Sequence, residues 1–199
     1  MWWGQIYGKS NAIVFRWLRK LLLRRSANIL VYPNDILIQA EFHLGVYKES
    51  NHRSLNLLIV GRNQERKKPH RLIEILREKG RLQLRLVGKG MTDLPITHYL
   101  IENERIKIFD HTTGIELKQH FDWADLVVNP GHAGLLVMNT ARHGKGILID
   151  NGSHHAPEVI LARAADQPFI SFGSINVCNA MLNQFILNRQ MLKTFGDNL

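Results

Sequence analysis

The chain has 199 residues, 45% hydrophobic and 22% charged, which is enough for one well-packed core or for one full domain plus part of a second. Its net charge of +9 is local: Met1 to Gly90 carries 18 Lys and Arg against 6 Asp and Glu (+12), and Met91 to Leu199 carries 8 against 11 (−3). That asymmetry suits nucleic acid, anionic lipid or phosphorylated substrates, while the lone Cys178 excludes an internal disulfide and no apolar run approaches the ~20 residues of a membrane span.

Residues 12–25, AIVFRWLRKLLLRR, set Ile13, Val14, Trp17, Leu18, Leu21 and Leu22 against Arg16, Arg19, Lys20, Arg24 and Arg25. Two readings stand side by side: a basic amphipathic helix lying on an anionic membrane surface, or a domain helix whose arginines snorkel to water. A short strand at 29–32 and a helix at 34–43 follow. The polar stretch 49–54, ESNHRS, is the expected domain boundary.

From Leu55 onward strands and helices alternate. A strand at 55–60 runs into Gly61-Arg62, a cationic loop 63–68, and a helix at 69–79 opened by Pro69. A strand at 82–87 stops at Gly88-Lys89-Gly90, and a helix at 94–103 leads to a strand at 106–109 and a helix at 115–123. The apolar strand 126–129 is stopped by Pro130-Gly131, Gly134 opens a helix at 135–143, and Gly144 and Gly146 lead into a strand at 146–149. A helix at 157–166, a strand at 169–171 and a long helix at 176–194 complete the series. Parallel neighbours need crossovers, so six strands with intervening helices predict an α/β, Rossmann-like, doubly wound parallel sheet over residues 55–199.

In such a sheet all strand C-termini share one edge, where ligands of open α/β folds sit. Arg62, Lys67 and Lys89 are expected there, beside the unpaired N–H groups of a helix starting near Gly134. That combination suits a diphosphate. The competing reading of RNQERKK is a solvated surface loop. The ten histidines form no HExxH arrangement, and His154 and His155, being neighbours, point apart, so a shared metal is not expected. Cys178 reads as a packed thiol in a reducing compartment, and no cleavable signal pattern opens the sequence.

Several of these segments together resemble the C-terminal, nucleotide-sugar-binding domain of GT-B glycosyltransferases of group 1 (family 4). The matching motifs are Gly61-Arg62 with Lys67 and Leu72-Ile73-Glu74, then Val87-Gly88-Lys89-Gly90, Ala124-Asp125 before the donor loop, and Gly144-Lys145-Gly146-Ile147-Leu148. The Glu-x7-Glu signature of that family falls on Gly131 and Asn139, so both carboxylates are absent. A polysaccharide-assembly subset is similar in using Pro-Gly-x-x-Gly-Leu, here Pro130 to Leu135, with a downstream His155-Ala156-Pro157-Glu158. Residues 1–50 resemble a remnant of the N-terminal acceptor domain, whose remainder, with any catalytic base, the resemblance implies to be missing.

The resemblance implies a metal-independent glycosyltransferase with no cofactor besides its nucleotide-sugar donor, acting on a polysaccharide or glycolipid acceptor. The sequence has no DxD pair. Fixed cations would take the place of a metal, with Arg62, Lys67 and the start of the helix at Gly134 and Leu135 on the diphosphate. Gly131, His132, Asn139 and Glu158 are the candidates for the sugar or ribose. Gly88, His111 and Thr112 are those for the base. Asn139 also reads as a solvent-facing helix residue, and Glu158 as a carboxylate favoured by a helix start. The expected location is cytoplasmic, at the inner face of a membrane through the 12–25 helix. Two alternatives remain: a non-catalytic nucleotide-binding homologue or fragment, and a basic nucleic-acid-binding module, although no helix-turn-helix, finger, RRM or KH pattern is present.

Overall fold

The computed structural model describes residues 54–78, 81–95 and 105–199. The expected helices at 12–25 and 34–43, the strand at 29–32, most of the helix at 94–103 and the 1–50 remnant lie outside these residues.

The strands are β1 (Leu55–Val60), β2 (Leu82–Val87), β3 (Ile106–Phe109), β4 (Leu126–Asn129), β5 (Gly146–Asp150) and β6 (Phe169–Ile170); the apolar runs of β1, β4 and β5 are buried on both faces, while β2 and β3 toward the edge alternate buried and exposed residues. All pair in parallel, in the order β3-β2-β1-β4-β5-β6. The helices among the described residues are α1 (His70–Glu78), α2 (Gly114–Trp123), α3 (Leu136–Arg142), α4 (Val159–Ala164), α5 (Ile175–Leu187) and α6 (Arg189–Asn198).

Alternation along each strand divides the core in two. Leu55, Leu57 and Ile59 of β1, with Leu126 and Val128 of β4, pack with Leu72, Ile75 and Leu76 of α1 and Cys178, Leu182 and Phe185 of α5. On the opposite face Leu58, Val127, Ile147 and Ile149 pack with Phe121 of α2, Val137 of α3 and Ala162 of α4. One mid-strand cation is tolerated on the second face. The Arg85 guanidinium lies 4.1 Å from the centroid of the Trp123 ring and 5.5 Å from that of Phe109, so its flat surface is covered by π faces.

The strand order reverses between β1 and β4. From β1 the chain winds outward through β2 to β3, then returns to β4 beside β1 and winds the other way to β6. The crossovers after β1 and β4 therefore run in opposite directions, and the C-terminal ends of these two strands mark the switch point where ligands of open α/β sheets sit.

The last helix departs from expectation. Residues 176–194 read as one periodic helix, but α5 ends at Leu187, and Asn188 (φ −129°, ψ 83°) turns the chain into α6. Long-range packing outweighs the local period here. The Arg189 guanidinium pairs with the Asp125 carboxylate at 2.8 Å and donates to the Ser54 carbonyl at 2.7 Å, at the base of β1 and β4. Farther along α6, a Cβ on Gly196 would lie 3.1 Å from the Gly144 carbonyl carbon and overlap its oxygen, so only glycine lets the helix lie so close to the β5 entrance.

Candidate functional site

The candidate site is built by two loops. The first leaves β1 through Gly61, makes a short 3-10 turn at Glu65–Lys67, and passes Lys68 in a left-handed conformation (φ 49°) to reach α1. The second leaves β4 through Pro130 and runs from Gly131 to Leu135 into α3. They are stitched together. His132 N–H donates to the Arg66 carbonyl at 2.7 Å, and the Lys67 ammonium donates to the His132 carbonyl at 2.7 Å. Gly131 is required by this approach, because a Cβ there would lie 2.6 Å from the Lys67 carbonyl carbon.

Two cations of the RNQERKK run turn inward: Lys67 to the loop after β4, and Lys68, whose ammonium donates to Ser153 Oγ at 3.4 Å on the loop after β5. Lys67 is half-buried, and desolvation, followed by the charge of Arg66, lowers its pKa from the ordinary lysine value. Arg62 is exposed after Gly61 and has no partner among the described residues; Lys89 is exposed after Gly88. Beneath Lys67, the N–H groups of Gly134, Leu135 and Leu136 have no acceptor among the described residues, whereas Ala133 N–H is taken by His155 Nδ1 at 3.1 Å. An ammonium and N–H donors without acceptors among the described residues therefore lie on the two loops at the switch point, a combination that can hold an anion.

A third loop, after β5, closes the far side. His132 Nδ1 lies 2.7 Å from the His154 carbonyl, and Ala156 N–H donates to the Ala133 carbonyl at 2.8 Å. Asp150, buried at the end of β5, accepts from Ser153 Oγ at 2.6 Å and Phe172 N–H at 3.1 Å, and lies 3.8 Å from Arg71 of α1. Glu158 sits at the start of α4 with Oε2 buried and unpartnered, and Asn139 is exposed on α3.

The remaining candidates stand apart. Gly88 ends β2, buried against the Gly61 carbonyl, and its N–H bonds the Phe109 carbonyl at 3.0 Å. His111 and Thr112 follow edge strand β3 on the same rim, with β2 between them and β1; Thr112 Oγ1 is buried without a partner. The structure joins Lys67, Gly131, His132, Gly134 and Leu135 into one cluster, with Glu158 on the next loop.

Sequence reasoning missed one structural member of this site, Asp150, and gave His155 only as part of the His-x-Pro-Glu match, with no role for its ring. A carboxylate closing the buried run Ile147–Ile149 was a usable signal for Asp150. What the His155 ring bonds has no local signal, since its partners belong to other segments. Among the described residues no three His, Cys, Asp or Glu side chains gather to hold a metal, and no helix is long and apolar enough to cross a membrane.

The sequence matches no protein-family model and no curated protein. The structure is similar to solved GT-B glycosyltransferases and shares their Rossmann-like fold. HepE of Anabaena in complex with UDP has a TM-score of 0.57 and 18% identity over 73% of this chain and 43% of its own. WaaG, a glycosyltransferase involved in lipopolysaccharide biosynthesis, has a TM-score of 0.60 and 19% identity over 73% of this chain and 41% of its own. TarM gives 0.62 and 14% over 79% and 32%. This chain thus spans less than half the length of those structures.

Proposed function

We propose that residues 55–199 form the donor-binding domain of a glycosyltransferase that takes a sugar from a nucleoside diphosphate and delivers it to a polysaccharide or glycolipid acceptor. The observation that carries this reading is the Lys67 ammonium bonded to the donor-loop carbonyl of His132, at the switch point of a sheet whose fold is shared with UDP-bound HepE.

In such a transfer the anomeric C–O bond breaks with its electron pair going to the phosphate oxygen. The acceptor hydroxyl forms the new bond at that carbon and gives up its proton. The largest electrostatic demand is the charge growing on the departing diphosphate, so preorganised donors at that place lower the barrier. Lys67 and the N–H groups of Gly134 and Leu135 supply them, and Arg62 adds a mobile cation at the rim. Gly131, His132 and Glu158 border the sugar side and Asn139 the outer face of α3, while Gly88, His111 and Thr112 line the rim toward the base. This reading calls for no metal and no cofactor beyond the donor, and it places the protein in the cytoplasm, at a membrane face where a lipid-linked acceptor is presented.

A thermal-shift series with UDP, GDP, ADP and CMP, each beside its nucleoside, tests it. A ligand that prefers the folded state at a hundredfold excess over Kd adds about 2.7 kcal/mol of apparent stability. At least one diphosphate is expected to raise Tm clearly more than its nucleoside. If none does, the reading fails.

A further inference from the structure

The His155 ring bridges two backbone groups of opposite kind. Its Nδ1 lies 3.1 Å from the Ala133 amide nitrogen, which can only donate, and its Nε2 lies 2.7 Å from the Asp150 carbonyl, which can only accept. One ionisation state satisfies both: the neutral ring with its hydrogen on Nε2. Ala133 is fully buried between His132, whose carbonyl holds Lys67, and Gly134. A proton on Nδ1 would set two donors against each other and strand a buried amide.

We propose that His155 is a positioning residue for the donor loop: its neutral imidazole holds residues 131–135 in place beneath Lys67, and protonation releases them. This inference rests on the loop being the nucleoside diphosphate site.

The groups facing the ring agree with the geometry. Burial is the largest influence and disfavours the imidazolium. His132 from the β4 loop and Arg163 from α4 act the same way, and the Asp150 carbonyl and carboxylate at the end of β5 oppose them. The net direction is a lowered pKa, so the strut is intact at neutral pH. Phe169 of β6 packs edge-on against the ring, with 6.4 Å between centroids, and adds no charge.

The experiment compares the wild-type chain with His155→Gln, whose amide supplies a non-titrating acceptor and donor. UDP affinity and the hydrogen-exchange protection factor of Ala133 N–H are followed from pH 7.5 to 5.5. The terminal phosphate of UDP also gains a proton near pH ~6, and His132 is common to both proteins, so the difference between the two is what counts. Wild type is expected to lose about twofold or more affinity beyond what His155→Gln loses over this interval, a lowered pKa keeping the loss under tenfold, and to lose Ala133 protection that the variant keeps.

Parallel affinity profiles overturn the inference while leaving the donor site standing, as does Ala133 protection that does not fall in wild type. No UDP binding by either protein at pH 7.5 removes the donor-site reading and the inference with it. If His155→Gln does not fold, imidazole 15N shifts of wild type decide. At pH 7.5 they should show Nε2 protonated and Nδ1 bare, and affinity should fall over the interval in which Nδ1 gains its proton. An Nδ1–H tautomer at pH 7.5 overturns the inference.

Discussion

Lys67 shows how far a side chain's neighbours decide its use. Five cations stand within ten residues from Arg62 to Arg71, and their charges are equivalent on paper. The 3-10 turn at Glu65–Lys67 and the left-handed Lys68 decide that Lys67 is the one bonded to the loop after β4. Lys67→Ala should therefore cost UDP about tenfold or more in affinity, the worth of one charge-assisted hydrogen bond, and leave uridine almost unchanged. Isothermal titration of both ligands checks this, and equal losses would argue against a phosphate contact. Arg62→Ala should act in the same sense but more weakly, since an exposed cation is screened by water and salt. Gly131→Ala should destabilise the chain by about 1–3 kcal/mol in urea unfolding, because the added methyl meets backbone of the Lys67 loop that cannot swing aside. The motif spacing singled out Lys67 and Gly131 in advance, but not the contact between their loops. The role of the His155 ring was not legible, because a histidine that pairs with Ala133 and Asp150 is set by contacts 22 and 5 residues away.

Element by element, the strands were the most readable part. Continuous apolar runs in β1 and β4 and alternating ones in β2 and β3 placed those four strands where they stand, and β5 and β6 are within a residue of expectation. Helix ends were less readable, since α3 and α4 stop short of the expected 135–143 and 157–166. The division of the final helix had no local signal beyond the exposed Leu187 and the Asn188 that follows it. Its cause is the anchoring of α6 at the other end of the chain, where Asp125 also accepts from Asn56 N–H at 2.9 Å. Asp125→Ala should lower unfolding stability by about 3 kcal/mol, because it removes the carboxylate paired with the Arg189 guanidinium and leaves the buried Asn56 amide without its acceptor. A urea midpoint that falls at unchanged m-value is the expected result. An unaltered midpoint would show that α6 is held by packing alone.

For the molecule as a whole, pH acts through imidazoles rather than through the large positive charge. His120, His143 and His155 all have pKa values lowered from the ordinary one, in each case first by burial. His143 stacks on Phe121 at 4.2 Å between centroids, and Arg85 stands 3.4 Å from His120 Nδ1. Folded histidines of this kind stay neutral below about pH 6.5, where the unfolded chain gains protons, so stability is complete above that pH and is lost as pH falls through it. Urea midpoints should hold from pH 7.5 to about 6.5 and decline from there to pH 5.5, and a midpoint that holds or rises below pH 6.5 would contradict the assignment. Cys178 adds nothing in this range. Its thiol is buried and pushed up to about 11 by desolvation, as expected of a packed cysteine.

The α/β class, the succession of strands and helices, and the rim of glycine loops were written in the chain's local pattern, because hydrophobic period and backbone punctuation act over a handful of neighbouring residues. The placing of β4 beside β1, the choice of one lysine among five cations, the tautomer of His155 and the turn at Asn188 were not. Each arises from groups that meet only after the chain has closed on itself, such as Lys67 and His132, which are 65 residues apart. Contacts of that kind are settled by competition for burial and hydrogen bonds across the whole core, and no local pattern records the outcome.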